Sequence, residues 1–294
     1  MPVSTAQPYI LAKPFQCGLS LSFALAPLCE PEKALKRLAR DFDASWGTLA
    51  IGEPLARKVE RSIPGLRTFP AMSAPGAGVP STQQSLWMML TAPSPGAVFD
   101  ILQRVNLLVM PHFMQVDSMP TFIYDTGRDL TGFEDGTENP RGRKAAAAAV
   151  VADGPLAGSS FVAVQRWVHD LAHFGRMTPA RRDAVIGRRQ GTNEEIPHAP
   201  RSSHVKRSTQ EDFDPPAFMV RRSMPFVFGA QMGLEFISYV AALDTFEVMM
   251  RRMAGLDKDG ISDALFTFSR PVTGGYYWCP PVRGGRPDLG LLGV

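Results

Sequence analysis

The sequence predicts an α+β fold made of two related halves, with antiparallel strands and short peripheral helices. Three observations predict it. Strand-period and helix-period segments follow one another in pairs, and the pairs recur in both halves. The stretch Phe99-Asp100-Ile101-Leu102-Gln103-Arg104-Val105 resembles Phe246-Glu247-Val248-Met249-Met250-Arg251-Arg252 at an offset of 147 residues, half of the 294-residue chain. The strand-like run before each of these helices also matches in kind. Duplication of one unit accounts for the pattern; two amphipathic helices of similar composition is the alternative.

Each element has its own signal. Leu19, Leu21, Phe23 and Leu25 alternate with small or polar neighbours, a strand period, and a turn follows at Pro27 to Pro31. Ala34, Leu35, Leu38, Ala39 and Phe42 then recur at helical spacing. Leu86 to Thr91 reads as a buried strand. Val98, Phe99, Leu102 and Val105 form a helical stripe entered through Ser94 as N-cap and Pro95 in the first turn. Ser160 to Val168 and Phe236 to Val240 read as strands. Asp244 with Glu247 three residues on forms a start like a capping box, and Gly255 ends the Phe246–Met253 stripe. Between the halves, Asn139 to Gly158 carries prolines, glycines and an alanine run from Ala145 to Ala149, readable as a helical turn or as a linker. This sets the expected units at 1–145 and 146–294. The end of the chain, Asp288-Leu289-Gly290-Leu291-Leu292-Gly293, reads as frayed.

Composition narrows the function. Thirty-one Lys and Arg against 28 Asp and Glu leave a charge of +3, too weak a field to imply nucleic acid or a membrane surface as partner. The densest basic cluster, Arg181, Arg182, Arg188 and Arg189, reads as a solvated helix face. Three dispersed cysteines, Cys17, Cys29 and Cys279, form neither a disulfide framework nor a CxxC or CxxCH motif, and buried thiols are expected. Met1 to Lys13 lacks the pattern of a signal peptide, and no apolar run is long enough to span a bilayer, so a cytoplasmic location is expected.

Five histidines are present, none at HExxH spacing. His169 and His173 can share a helix face as metal ligands, although the run before them reads as strand. His204 is a competent axial ligand for haem iron if buried, or an ordinary surface histidine. Asp135 sits in Gly132-Phe133-Glu134-Asp135-Gly136-Thr137-Glu138-Asn139-Pro140, where the glycines permit tight turns and close approach of a planar ligand. A structural turn, or a hard-cation site on Asp135, Glu138 and Asn139, fits the same residues. Arg221 and Arg222 point to opposite faces if their segment is extended, so that one can face a pocket while the other meets solvent.

Taken together these segments resemble the dye-decolourising peroxidase family, most of all its compact bacterial branch. The resemblance covers nearly the whole chain. It is carried by Gly127 to Pro140 with its GxxDG signature, by Ser203-His204-Val205-Lys206-Arg207, by Arg221 to Phe226, and by Pro271-Val272-Thr273-Gly274-Gly275-Tyr276-Tyr277. It implies two ferredoxin-like domains of the dimeric α+β barrel superfamily, each with a four-stranded antiparallel sheet, and one haem b per chain. By the same resemblance His204 is the axial iron ligand, and Asp135, Arg221 and Ser223 are catalytic on the opposite side. Arg207, Gly136, Thr137, Glu138 and Asn139 are the remaining haem contacts. Hydrogen peroxide and small reducing substrates, phenolic or dye-like, are the expected partners, with turnover through an oxoferryl intermediate and an acidic pH optimum. A homo-oligomer is also expected, and the Leu-Gly tail resembles the peptide by which some relatives enter encapsulin shells. One departure stands out: near the position where relatives carry a carboxylate to orient the axial histidine, this chain has Thr267, with Asp263 four residues earlier. Trp167, Trp278, Tyr276 and Tyr277 are candidate surface relays for electrons. The alternative function is a haem-handling protein with little turnover, which needs His204 but neither Asp135 nor Arg221.

Overall fold

In the computed structural model, which describes residues 5–27 and 29–294, one sheet of ten strands runs through the molecule. Met1–Ser4 of the segment read for a signal peptide, and Leu28 of the turn expected at Pro27–Pro31, lie outside the described residues. The strands are β1 (Cys17–Leu25), β2 (Gly47–Gly52), β3 (Leu86–Ala92), β4 (Phe113–Phe122), β5 (Ser160–His169), β6 (Val220–Arg221), β7 (Met224–Phe228), β8 (Gln231–Val240), β9 (Ser269–Pro271) and β10 (Gly275–Cys279). Their order is β4-β1-β3-β2-β10-β5-β8-β6, with β7 also on β8 and β9 also on β5, and all pairs are antiparallel.

Two units of the same strand order lie within that sheet. In the first half the sequence order of the strands reads 4-1-3-2 across the sheet. The second half repeats it, with its second strand broken into β6 and β7 and its fourth into β9 and β10. Both are the ferredoxin-like arrangement that the resemblance implies. The 147-residue offset also holds structurally: helix α2 (Pro95–Val109) follows β3 as helix α7 (Leu243–Met253) follows β8. The halves are spliced where β2 pairs with β10, through Gly52 with Tyr277 and Ile51 with Trp278. At the opposite ends, β4 and β7 lie against each other, so the sheet curls into a barrel.

Strand alternation sorts side chains between the barrel interior and the outer, helix-covered side. Helix α1 (Pro31–Asp41), α2 and α7 cover the outside over Leu21, Leu49, Met88 and Trp167, among others. Trp87, Val162, Ile237, Tyr239 and Tyr277 fill the interior. The interior also holds charge: Arg166 bonds Glu235 at 2.9 Å and Asp117 at 3.0 Å, while Ser20 donates to Glu235 at 2.7 Å. Trp87 Nε1 donates in turn to Ser20 Oγ at 3.0 Å.

Local expectations met different fates. Ser94 caps α2 by accepting from the Ala97 N–H. The alanine run is helical, α3 (Arg143–Ala149), and position 145/146 falls within it. Asp244 is no N-cap: α7 starts at Leu243 behind Ala242, and Asp244 and Glu247 both bind Arg67, at 2.6 and 2.8 Å. The ion pair takes the carboxylate away from the helix start because Arg67, 177 residues earlier in the chain, approaches it from a loop of the first half. Gly255, at φ +72°, follows the helix end. The arginine cluster is not one solvated face, since Arg188 follows helix α5 (Pro179–Ile186) and is drawn inward by Glu138 at 2.6 Å. Of the cysteines only Cys279 is buried; Cys17 and Cys29 are half-buried, and all three are free. Trp167, Trp278, Tyr276 and Tyr277 are all buried, none more than 4 % exposed, because each lies in a central strand covered on both faces. The tail is docked, not frayed: Leu289 and Leu292 enter the outer core. Among the described residues no helix is long and apolar enough to cross a membrane.

Candidate active site

The same alternation that sends Arg166 inward sends Gln165, Trp167 and His169 of β5 outward, together with Leu234 and Phe236 of β8. Over these lies α7, whose Phe246, Met249, Met250 and Met253 recur at helical spacing. A slot is left between strand floor and helix. Its inner part, about 90 Å³, is mostly apolar and is lined by these residues. Its outer part, about 310 Å³, is polar and bounded by the Glu134–Glu138 loop, Arg188, Glu195 and helix α6 (His204–Ser208). Asp135, His204, Ser208 and Arg221 line both parts.

His204 is the first residue of α6. Its Nδ1 lies 2.8 Å from Asp263 Oδ2, and the Asp263 carboxylate is fully buried. The other oxygen of Asp263 accepts from the Leu265 N–H at 2.8 Å, which fixes the carboxylate. A carboxylate bonded at Nδ1 selects the tautomer in which Nε2 carries a free lone pair for the slot. Asp263, not Thr267, is therefore the histidine's partner; the Thr267 hydroxyl donates to the Ala264 carbonyl.

Asp135 hangs from a loop that reverses at Gly132 (φ +84°) and Gly136 (φ +72°), backbone conformations open to glycine. Its accessible surface opens into the slot, while protein surrounds the rest of the carboxylate. Burial raises its pKa, against the opposing charge of Arg221; nearby Asp129 adds to the rise. Arg221 closes β6 and, by the parity that turns Arg222 toward the Leu11 carbonyl, faces the slot. Its Nε is buried without a hydrogen-bond partner among the described residues.

The other residues expected at the site divide. Gly136, Thr137 and Glu138 line the outer part. Asn139 does not; it rivets the loop to β6, donating to the Arg221 carbonyl at 3.0 Å and accepting from its N–H at 2.8 Å. Ser223 stays outside the slot, its hydroxyl held back by the Ile237 N–H at 3.4 Å. Arg207 also points away: Asp259 takes it in two bonds, 2.7 and 3.1 Å, and the Arg252 carbonyl in a third, 2.8 Å. Besides Arg221, the cation that lines the slot is Arg188, in its outer part. His173 lies on helix α4 (Leu171–Arg176), away from the strand that carries His169, and no group of three or more metal-binding side chains occurs among the described residues.

Sequence reasoning missed the environment of His169. Its ring bonds Ser269 at 2.7 Å and Asp129 at 3.1 Å, and both His169 and Ser269 line the slot. Burial pushes Asp129 up, but His169 and Thr131 outweigh it and hold the carboxyl below its ordinary range. The signal was available: His169 shares strand parity with Trp167 and Gln165.

Comparison with known proteins places this geometry. The family model described as Dyp-type peroxidase, C-terminal, matches residues 126–284. The dye-decolorizing peroxidase of Mycobacterium tuberculosis is 32 % identical over 260 residues, covering 86 % of this chain and 75 % of the relative. That of Mycolicibacterium paratuberculosis is 30 % identical over 260 residues, covering 86 % and 71 %. Among solved structures, the dye-decolorizing protein from V. cholerae superposes with a TM-score of 0.83 at 30 % identity, over 96 % of this chain and 97 % of that one. DypB from Rhodococcus jostii RHA1 shares the fold, with a TM-score of 0.85 at 24 % identity and 96 % of each chain covered. With its family-wide match, its slot and its two-unit barrel in agreement, the chain belongs to the Dyp-type peroxidase family.

Proposed function

We propose that the slot holds one haem b, with His204 Nε2 on the iron, and that hydrogen peroxide is reduced on the side of Asp135 and Arg221. The observation that carries this reading is that His204, fixed by Asp263, shares one cavity with the Asp135 carboxylate, which opens into it, and with a guanidinium whose Nε has no hydrogen-bond partner among the described residues. The residues fit the group. The inner part offers an apolar wall to a porphyrin face and edge, and the outer part offers Arg188 and loop hydroxyls to its carboxylates. Variants of Rhodococcus jostii DypB have been solved in complex with heme, on the same fold.

Bound haem supplies the iron that takes up peroxide and stores the two oxidising equivalents. The protein manages the protons and the charge. Cleaving the O–O bond requires a proton to pass from the inner to the outer oxygen, and Asp135, or a water it holds, carries it. Arg221 stabilises the negative charge on the departing oxygen, and its own charge favours ionised Asp135. Asp263 keeps the His204 ring oriented and basic. Two one-electron donors, phenolic, dye-like or other small reductants, complete each turnover. The same reading takes the enzyme as a cytoplasmic homo-oligomer, with sedimentation of the holoprotein as its test. Shell loading would require the docked Leu289 and Leu292 to peel away, which co-expression with a shell protein, with and without residues 284–294, would reveal.

The test is an optical titration with haemin followed by one equivalent of peroxide. Wild type should develop a Soret band and a rapid spectral change. His204→Ala should lose the iron coordination. Binding without a peroxide-driven change would favour the haem-handling alternative, and no Soret band in wild type would remove both readings.

A further inference from the structure

Beside the slot lies a wider hollow of about 530 Å³, which shares Glu138 and Glu211 with the slot's outer part. Its floor is made of methyl groups: Ala147 and Ala148 from α3, and Ala241 and Ala242 ahead of α7. The Ala241 N–H donates to the Ala148 carbonyl at 2.9 Å, so the two segments are tied together. Phe218, 38 % exposed, stands in one wall. Flat apolar surface with an aromatic side wall is the setting in which a planar ring buries area at little conformational cost.

The wall between hollow and slot is preformed. Buried Gln210 donates to the Glu138 carbonyl and accepts from the Met219 N–H, each at 2.9 Å, while Asn139 is riveted to Arg221. Charge is divided across the hollow. On the α3 side, Lys144 lines it, with Arg141 and Arg143 beside it in sequence. None of these three forms an ion pair among the described residues. On the slot side, Glu138 is taken by Arg188, and Glu211 is a carboxylate without an ion-pair partner there.

We propose that this hollow is the binding site of the reducing substrate, and that it selects planar phenols carrying an anionic group. The carboxylate or sulfonate lies toward Lys144, the ring rests on the alanine floor beside Phe218, and the phenolic hydroxyl points to Glu211, next to the slot. The assignment rests on the peroxidase reading for its meaning but not for its test. A binding site for anionic aromatics exists here or does not, whatever the slot catalyses.

Saturation-transfer NMR on the resting holoprotein, with 4-hydroxycinnamate as the anionic probe and tyramine as the cationic one, reads binding directly. Wild type should saturate the 4-hydroxycinnamate ring protons. Ala147→Trp and Ala242→Trp, both at exposed positions, should abolish that transfer by filling the floor. Lys144→Glu should raise the KM for 4-hydroxycinnamate roughly fivefold and lower that for tyramine, the size expected for reversing one partly exposed charge. The rate of the peroxide reaction without donor should not change in any of the three. The proposal is overturned if both tryptophan variants keep wild-type transfer and KM, or if Lys144→Glu shifts the two probes in the same direction. A wild-type protein inert to peroxide would sink the peroxidase reading instead, leaving the NMR result to decide the hollow.

Discussion

The two faces of the β5–β8 pair bury charge in opposite ways. On the interior face Arg166, Glu235, Asp117 and Ser20 satisfy one another, and even Trp87 is bonded into the network. On the outer face Asp135 and Arg221 share a cavity, yet Arg221 Nε has no hydrogen-bond partner among the described residues. Leaving a buried polar group unpaired costs about 1–3 kcal/mol, more when charged. A closed network serves the fold, whereas an open one costs stability and leaves donor capacity facing the slot for something that binds.

Breaking the closed network should have the largest effect. Glu235→Ala leaves Arg166 short of a buried partner and should cost about 3–5 kcal/mol of stability, read by denaturant unfolding, with the peroxide rate of the folded fraction intact. An equal loss of peroxide rate would erase the contrast between the faces. Arg221→Ala should do the reverse. It should slow the peroxide reaction by about 10²–10³-fold in rapid mixing, because a preorganised charge is removed from a charge-developing step. Its thermal midpoint should not fall, since the Arg221 side chain makes no hydrogen bond among the described residues.

The folded-state pKa of Asp135 lies above its ordinary value, so its proton-accepting form is lost as pH falls through that raised value. Wild type should show an acid limb in the peroxide rate above the usual carboxylate range, and Asp135→Asn should flatten it. The sign for stability follows: the folded state holds this proton more tightly than the unfolded chain. Wild type should therefore lose stability relative to Asp135→Asn as pH rises from the ordinary value through the raised one. A limb unchanged in Asp135→Asn would assign the titration to another group. An acidic optimum, as the resemblance implies, would have its lower limit set here. Smallest is Ser223→Ala. Its one long bond to the Ile237 N–H is worth about 1 kcal/mol or less, and the peroxide rate should stay at the wild-type value.

Much of the fold was legible because it rests on period. Leu19 to Leu25, Leu86 to Thr91 and Ser160 to Val168 show strand patterns, and the half-chain offset marks the repeated unit. Local chemistry misled where a distant partner intervened. Asp244 looks like a cap until Arg67, far back in the chain, claims it. Arg207 looks free for an anion until Asp259 takes it. The site was legible in its motif residues, His204, Asp135 and Arg221, but not in their supports. Asp263 reaches His204 only because its turn folds back beneath α6, and Asp129 meets His169 across 40 residues. Such pairings are set by tertiary approach, which spacing along the chain does not encode.

The splice between β2 and β10 bears on how the chain is made. Gly52 and Ile51 wait for Tyr277 and Trp278, and the Gln7 side chain bonds both the Leu49 and the Pro280 carbonyls. During synthesis the first half thus emerges with a bare sheet margin that nothing nearby in sequence can seal. Closure at so great a separation is slow, and an open margin invites strands from other molecules. Nascent chains stalled before Gly274 should therefore be a point at which this protein depends on chaperones.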